Sequence, residues 1–397
     1  MYRRIIENKI ISLLNKREIL ILYGPRRVGK TTILNNLKTI FNQKQHPCML
    51  YTLDDPASSI IFANPTVNKL KTIFSELGFN TNKNYLLLDE VQSFSKIDIL
   101  LKLIYDHFSH IKVIVTSSSS ILLLHELTES LAGRKLFIEI FPLTLSEYTG
   151  ININTYFKFD DLITKKEELS NILTHNFSIY GSYPEIVNMD KNIDKIHKLR
   201  DIIDSSLYKD IFIQEKIKAP KTLVYLVQLL AFQIGNLVNL NELSTQLGIS
   251  RNTVNEYINI LERFFIIFRL TPFEKNIRSE ITSKFKVYFW DLGLRNAIIY
   301  RFTPFDNRED KGALFENIII SSILKRNYYS GCLWQPFFWR TYEGSEIDLV
   351  LRNILTEKLW IFQITTTNRA LFSRSFDKYK PVKKIVVNLS NGYKYCM

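Results

Sequence analysis

The chain has 397 residues, 46% apolar and 23% charged, which is the balance of a protein that folds and is long enough for two or three domains with separate cores. Fifty-two Lys and Arg against 39 Asp and Glu leave a net charge of +13 and favour a polyanionic partner such as nucleic acid, though the basic residues are spread along the whole sequence. Cys48, Cys332 and Cys396 lie far apart, which argues against a disulfide framework or a zinc site and fits a reducing, cytoplasmic compartment. The N-terminus alternates apolar and charged residues and lacks the apolar core of a signal peptide. The longest apolar stretch, 223–240, is broken by Gln228, Gln233 and Asn236, so it reads as a buried helix running into a loop and no membrane partner is expected.

In chain order, the first feature is EILILYGPRRVGKTTILNNLKTIF at 18–41, an apolar strand, a loop and an amphipathic helix. The loop fits G-x-x-x-x-G-K-T, the Walker A pattern of a phosphate loop. Gly24 and Gly29 let the backbone curl so that its N–H groups point at a polyphosphate, and the helix N-terminus adds its positive end. Lys30 is expected to reach the β and γ phosphates of ATP, and Thr31 to ligate Mg2+. Expected nucleotide contacts therefore run through Gly24, Pro25, Arg26, Arg27, Val28, Gly29, Lys30, Thr31 and Thr32.

NKNYLLLDEVQ (82–92) is a second buried strand that ends in Asp89 and Glu90. Its carboxylates emerge at the C-terminal sheet edge, where open α/β sheets bind ligands. Asp89 is the expected magnesium partner and Glu90 the residue that orients or deprotonates the attacking water. A third strand ends in Thr116, Ser117 and Ser118, where a hydroxyl, Ser117 above all, is placed to sense the γ-phosphate. In LAGRKLF, Arg134 follows a small Ala-Gly pair and is read as a catalytic or sensing guanidinium, acting within its own subunit or across an interface; a structural ion pair is the competing reading.

These segments, with FPLTLSEY, YGSYPEIV, YKDI, ISRNTVNEYINILERFFIIFRL and KVYFWDLGLRNA further on, resemble the AAA-type ATPases of bacteria and archaea that carry a C-terminal domain of unknown function related to restriction endonucleases. The resemblance implies an α/β chain with a P-loop ATPase core on a five-stranded parallel sheet, a helical linker, a winged helix and an endonuclease-like α/β end. The expected bounds are 1–150 for the ATPase, 151–235 for the lid or linker, 236–275 for the winged helix-turn-helix and 276–397 for the endonuclease-like part. Many AAA relatives form rings, so an oligomer is open.

In the linker, Tyr180, Tyr183 and Tyr208 read as packing residues. Beyond it, Leu243 and Leu247 make one short helical face, Gly248 and Ile249 turn the chain, and Ser250 caps a second helix that buries Val254, Ile258 and Leu261. Arg251, Asn252 and Asn255 at its exposed start stand where helix-turn-helix proteins meet duplex DNA, although the same fold also docks proteins.

The C-terminal segment supplies Glu316 on a helix and Glu346 and Asp348 two residues apart on one strand face. An endonuclease-like site needs an acid-x-Lys on the next strand. Here that strand carries Gln363 and Thr365, a neutral amide and a hydroxyl. The expectation is an inactive module beside a working magnesium-dependent ATPase, with nucleotide state setting the posture of the winged helix and the C-terminal part. The alternative is an ATP-switched DNA-binding regulator or defence component; an active nuclease is the least expected.

Overall fold

A computed structural model describes residues 2–79, 83–117, 131–151, 165–208, 211–212, 215, 217, 219–273, 284–341, 343–367 and 372–397. Five runs of apolar residues make the first sheet: β1 (Ile19–Tyr23), β2 (Cys48–Thr52), β3 (Asn84–Asp89), β4 (Ile111–Ser117) and β5 (Lys135–Glu139). All neighbours pair in parallel, in the order β2-β3-β4-β1-β5. Helices cover such a sheet on both faces, which is why β3 and β4 are buried at every position and carry apolar runs at their centres, Tyr85–Leu88 and Val113–Val115. The order places the C-terminal ends of β3, β4 and β1 side by side.

By internal packing the chain divides into two units, residues 4–141 and residues 1–3 with 142–397. The expected breaks at 235 and 275 both fall inside the second unit, for a reason that lies in its sheets. After the buried helix Pro220–Phe232 come β6 (Leu237–Val238), the helices Leu240–Leu247 and Arg251–Arg263, β7 (Ile267–Leu270) and β8 (Phe285–Phe289). β8 lies between β6 and β7 and pairs antiparallel with both, so the sheet beside the two helices is closed by a strand beyond residue 275. Asn239 and Ser250 cap the two helices, Ser250 accepting the Thr253 N–H at 3.1 Å. The second helix buries Val254, Ile258 and Leu261, with Tyr257 and Ile260 beside them.

The final sheet holds β9 (Trp334–Arg340), β10 (Glu346–Asn353), β11 (Leu359–Ile364) and β12 (Lys383–Val387), in the order β12-β11-β10-β9. The helix Lys311–Tyr329 packs beside it, and a core of Phe273, Phe337, Trp339, Ile347, Val350, Ile361 and Phe376 lies within the same region.

The segments YGSYPEIV and KVYFWDLGLRNA owe their composition to packing against each other. Asp291 caps its own helix by accepting the Leu294 N–H at 3.1 Å and accepts the Ser182 N–H at 2.7 Å. Gly181 has φ +75°, and a Cβ there would lie 2.0 Å from the Asp291 carboxylate, so only glycine fits. Asn296 donates to the carbonyls of Ser178 and Ile179 at 2.8 and 2.9 Å. Tyr180 stacks on Phe302, Tyr208 stacks on Phe212 and Tyr183 is buried, so all three serve packing. Lys209 and Asp210 of YKDI lie outside the described residues. Among the described residues no helix is long and apolar enough to cross a membrane.

Candidate nucleotide site and a second buried polar cluster

β1 delivers the chain to Gly24, whose φ is +155°; a Cβ there would lie 2.2 Å from the Ile140 carbonyl oxygen, so the loop can leave the strand only as glycine. Gly29, at φ +94°, ends the loop, and the helix Lys30–Gln43 begins at once with its N-terminal end toward it. Pro25 and Val28 are buried, while Arg26, Arg27 and Thr31 are exposed. Lys30 is 4% exposed and donates to the carbonyl oxygens of Gly24 and Pro25 at 2.9 and 2.8 Å, so its ammonium sits within the curl of the loop.

Thr31 donates to Asp89 Oδ2 at 2.7 Å, joining the loop to the end of β3. Thr116, at the end of β4, donates to the other Asp89 oxygen and accepts the Glu90 N–H at 3.1 Å. Thr116, named from sequence with Ser117 and Ser118 as a strand-end hydroxyl facing the γ-phosphate, instead bonds both acids. The signal was there in its place at the same strand edge as Asp89. Glu90 adopts a left-handed backbone at φ 53°, ψ 46°, an uncommon conformation for a non-glycine residue and one that functional sites concentrate. Its carboxylate accepts from the side chain of Gln92, a partner the sequence did not flag. Ser117 is buried beside Tyr23, the residue before Gly24, and so stands next to the loop. Ser118 lies outside the described residues. A hydroxyl and a carboxylate in contact are hard oxygen donors, the set a magnesium ion accepts when phosphate and water complete its shell. Thr31 and Asp89 fit that requirement.

Two residues stand differently from expectation. Arg134 precedes β5, and its carbonyl accepts from Ile19 N at the start of β1, so it occupies the sheet edge opposite the loop. Five residues of strand, roughly 15 Å, separate the two edges, more than an arginine side chain spans. Its guanidinium pairs with Asp106 at 3.0 Å and lies over the Tyr105 ring. The structural ion pair is therefore what the chain makes of it, and a catalytic contact within its own chain is corrected. Arg4, not flagged at all, is 3% exposed and donates to the carbonyl oxygens of Val28 and Phe141 at 2.6 and 2.7 Å.

In the second unit, Arg251 and Asn252 are exposed at the start of their helix. Asn255 is less open to a partner, because its Oδ1 accepts from Arg269 at 3.2 Å. Arg269, on β7, also donates to Asn259 and Glu262 at 2.6 and 2.5 Å, binding the strand to the helix.

The C-terminal acids meet a lysine after all. Lys286, on β8 and 3% exposed, pairs with Glu316 at 3.3 Å and with Glu346. Tyr288 donates to Glu316 at 2.5 Å, and Arg340 reaches Glu346 at 3.3 Å. Gln363 Nε2 and the Ile364 N–H donate to Asp348 at 2.9 and 2.6 Å, while Thr365 bonds Thr367 instead. Burial, reinforced by the negative charge of Glu316, pushes the Asp348 carboxyl up to about 8. Burial opposes the charge on Lys286, but Glu316 and Glu346 outweigh it and hold the ammonium above its ordinary value. Thr365 indeed supplies no ammonium, but the cluster has one from β8, sixty residues before Glu346, which strand-by-strand reading of the C-terminus overlooked.

A five-stranded parallel sheet with a glycine-rich phosphate loop after β1 and acids at the end of β3 defines an AAA-type P-loop ATPase fold. Family comparison agrees: residues 16–149 match the family described as an AAA domain. Residues 173–305 match a domain of unknown function, DUF8612, and residues 311–394 another, DUF4143. The chain thus carries an AAA-type ATPase domain and a C-terminal domain of unknown function. An uncharacterized protein of Methanocaldococcus jannaschii is 26% identical over 396 residues, covering 97% of this chain and 84% of that one. An uncharacterized protein of Haemophilus influenzae is 25% identical over 321 residues, covering 78% and 75%. Among solved structures, AMPPCP-bound DnaA from Aquifex aeolicus overlaps 64% of this chain and 86% of its own at 15% identity, with a TM-score of 0.26, too low to argue from.

Proposed function

We propose that this protein binds ATP with magnesium, hydrolyses it, and uses nucleotide state to change the posture of its helix-turn-helix and C-terminal regions. The observation that carries the reading is the direct contact of Thr31 with Asp89 beside a lysine held inside the loop. Lys30 rests on two neutral carbonyls, so exchanging them for phosphate oxygens replaces ion–dipole contacts by ion pairs. Magnesium, when bound, neutralises charge on the β and γ phosphates. Thr31 and Asp89 would hold it, Glu90 would take the proton of the attacking water, and Ser117 would register the γ-phosphate. Arg134 serves no phosphate of its own chain in this scheme and is left for a neighbouring copy in an assembly.

The paired test uses two variants of the full chain. Lys30→Ala is expected to lose ATP turnover, whereas Glu90→Gln is expected to keep ATP bound and hydrolyse it about a hundredfold or more slowly. Turnover of Lys30→Ala at the wild-type rate would sink the assignment.

A second reading, an ATP-switched DNA binder, draws support from a winged-helix arrangement with Arg251 and Asn252 exposed at the start of the second helix. Docking a protein through the same helix is the competing use. The C-terminal cluster is not assigned nuclease chemistry, because its lysine is already bonded to the acids that would hold a metal.

A further inference from the structure

Arg4 stands in extended conformation just before the helix Ile5–Ser12, far from the loop in sequence and in contact with it in space. Its two terminal nitrogens grip two different walls of the loop. Nη1 holds the carbonyl of Val28, and a Cβ built on Gly29 would lie 3.6 Å from that nitrogen. Nη2 holds the carbonyl of Phe141, the residue after Ile140. Ile140 is the wall at the other end of the loop: its N–H bonds Tyr23 at 2.8 Å and its carbonyl fills the space a Gly24 side chain would need.

The peptide between Val28 and Gly29 is planar and trans, so its C=O and N–H point in opposite directions. Fixing the carbonyl toward Arg4 turns the Gly29 N–H away from Arg4. In a phosphate loop the inward N–H groups cradle the phosphates, and the peptide just before the lysine is one of them.

We propose that Arg4 is a positioning residue of the nucleotide site, which aims the Gly29 N–H at the β-phosphate by holding the Val28 carbonyl and braces the loop against the segment that follows β5. This rests on the nucleotide reading above. A guanidinium suits the task because its rigid fork presents two donors at once, whereas an ammonium is a point charge that reaches one of these carbonyls at a time.

The experiment is calorimetric titration of the full chain with ADP and magnesium, together with thermal unfolding with and without saturating ADP. Arg4→Ala is expected to weaken ADP binding by about tenfold, the equivalent of one oriented charge-assisted hydrogen bond, and Arg4→Lys to recover part of it. The ADP-induced rise in the unfolding midpoint should shrink in the same order. A merely structural arginine would lower the nucleotide-free midpoint and leave that rise intact, and this result overturns the proposal, as does wild-type ADP affinity in both variants. Should Arg4→Ala fail to fold, Arg4→Lys decides alone: weaker ADP binding at an unchanged nucleotide-free midpoint supports the assignment, and wild-type affinity overturns it. Wild-type protein that binds neither ADP nor ATP would instead fail the nucleotide reading itself.

Discussion

Two buried lysines in this chain sit among acids in opposite ways. Lys30 lies against backbone carbonyls while Asp89, its neighbour in the site, is held by the hydroxyls of Thr31 and Thr116. Lys286 lies directly between Glu316 and Glu346, and Asp348 beside it is raised to the point of carrying a proton near neutrality. In the first arrangement the lysine donates to backbone carbonyls and the acid accepts from hydroxyls, neutral groups that a ligand can replace. The second has already cancelled its charges internally. Buried charges of similar kind thus make a receptive site in one place and a bolt in the other, and the partners of the lysine tell them apart.

The same type of truncation at both lysines is the sharpest way to break this comparison. Lys30→Ala should remove ATP turnover, by about a hundredfold or more, with little change in the nucleotide-free unfolding midpoint. Comparable loss of turnover in Lys286→Met would erase the distinction. Lys286→Met should instead cost stability, up to about 3–5 kcal/mol, discounted because Glu316 and Glu346 keep some contact with water; chemical denaturation measures it.

A smaller effect follows from Asp348. Its folded value of about 8 lies above the ordinary 3.9 or so of an unfolded chain, so between those limits the folded state holds a proton that the unfolded state has lost. The stability it contributes is present at low pH, declines as pH rises from about 4 to about 8, and is flat above. Asp348→Asn keeps an acceptor for the Ile364 N–H without a charge, so its stability relative to wild type should grow across that window. A pH-independent difference would show that Asp348 is not held protonated. The smallest expected change is at the surface. If duplex DNA binds, Arg251→Ala should weaken it modestly and lower the salt slope by about one, read by titration at several salt concentrations.

Much of the first site was legible because its signals are local. Gly24 to Thr32 are consecutive, and Asp89 and Glu90 end an apolar run whose place in a parallel sheet follows from its composition. The two helices on either side of Gly248 were legible for the same reason, through that glycine and the Ser250 cap. What escaped notice was contact between distant positions. Arg4 meets Phe141 and Lys286 meets Glu346 only after sheets have formed, and neither residue stands in a pattern that periodicity or capping would mark. Arg134 misled in the opposite sense: its small neighbours suggested close approach to phosphate, but the strand it introduces starts at the far edge.

The placement of β8 has a practical bearing on how this protein can be cut. Its backbone pairs with Leu237 and Leu270 in the sheet of the helix-turn-helix region, while its Lys286 side chain neutralises acids belonging to the last sheet. The family matches end at 305 and resume at 311, an inviting place to divide the gene. A C-terminal fragment begun at that seam would inherit Glu316, Glu346, Asp348 and the half-exposed Arg340 but leave the buried counter-ion Lys286 behind, so the recombinant piece is expected to be a poor stand-in for the same residues in the whole chain.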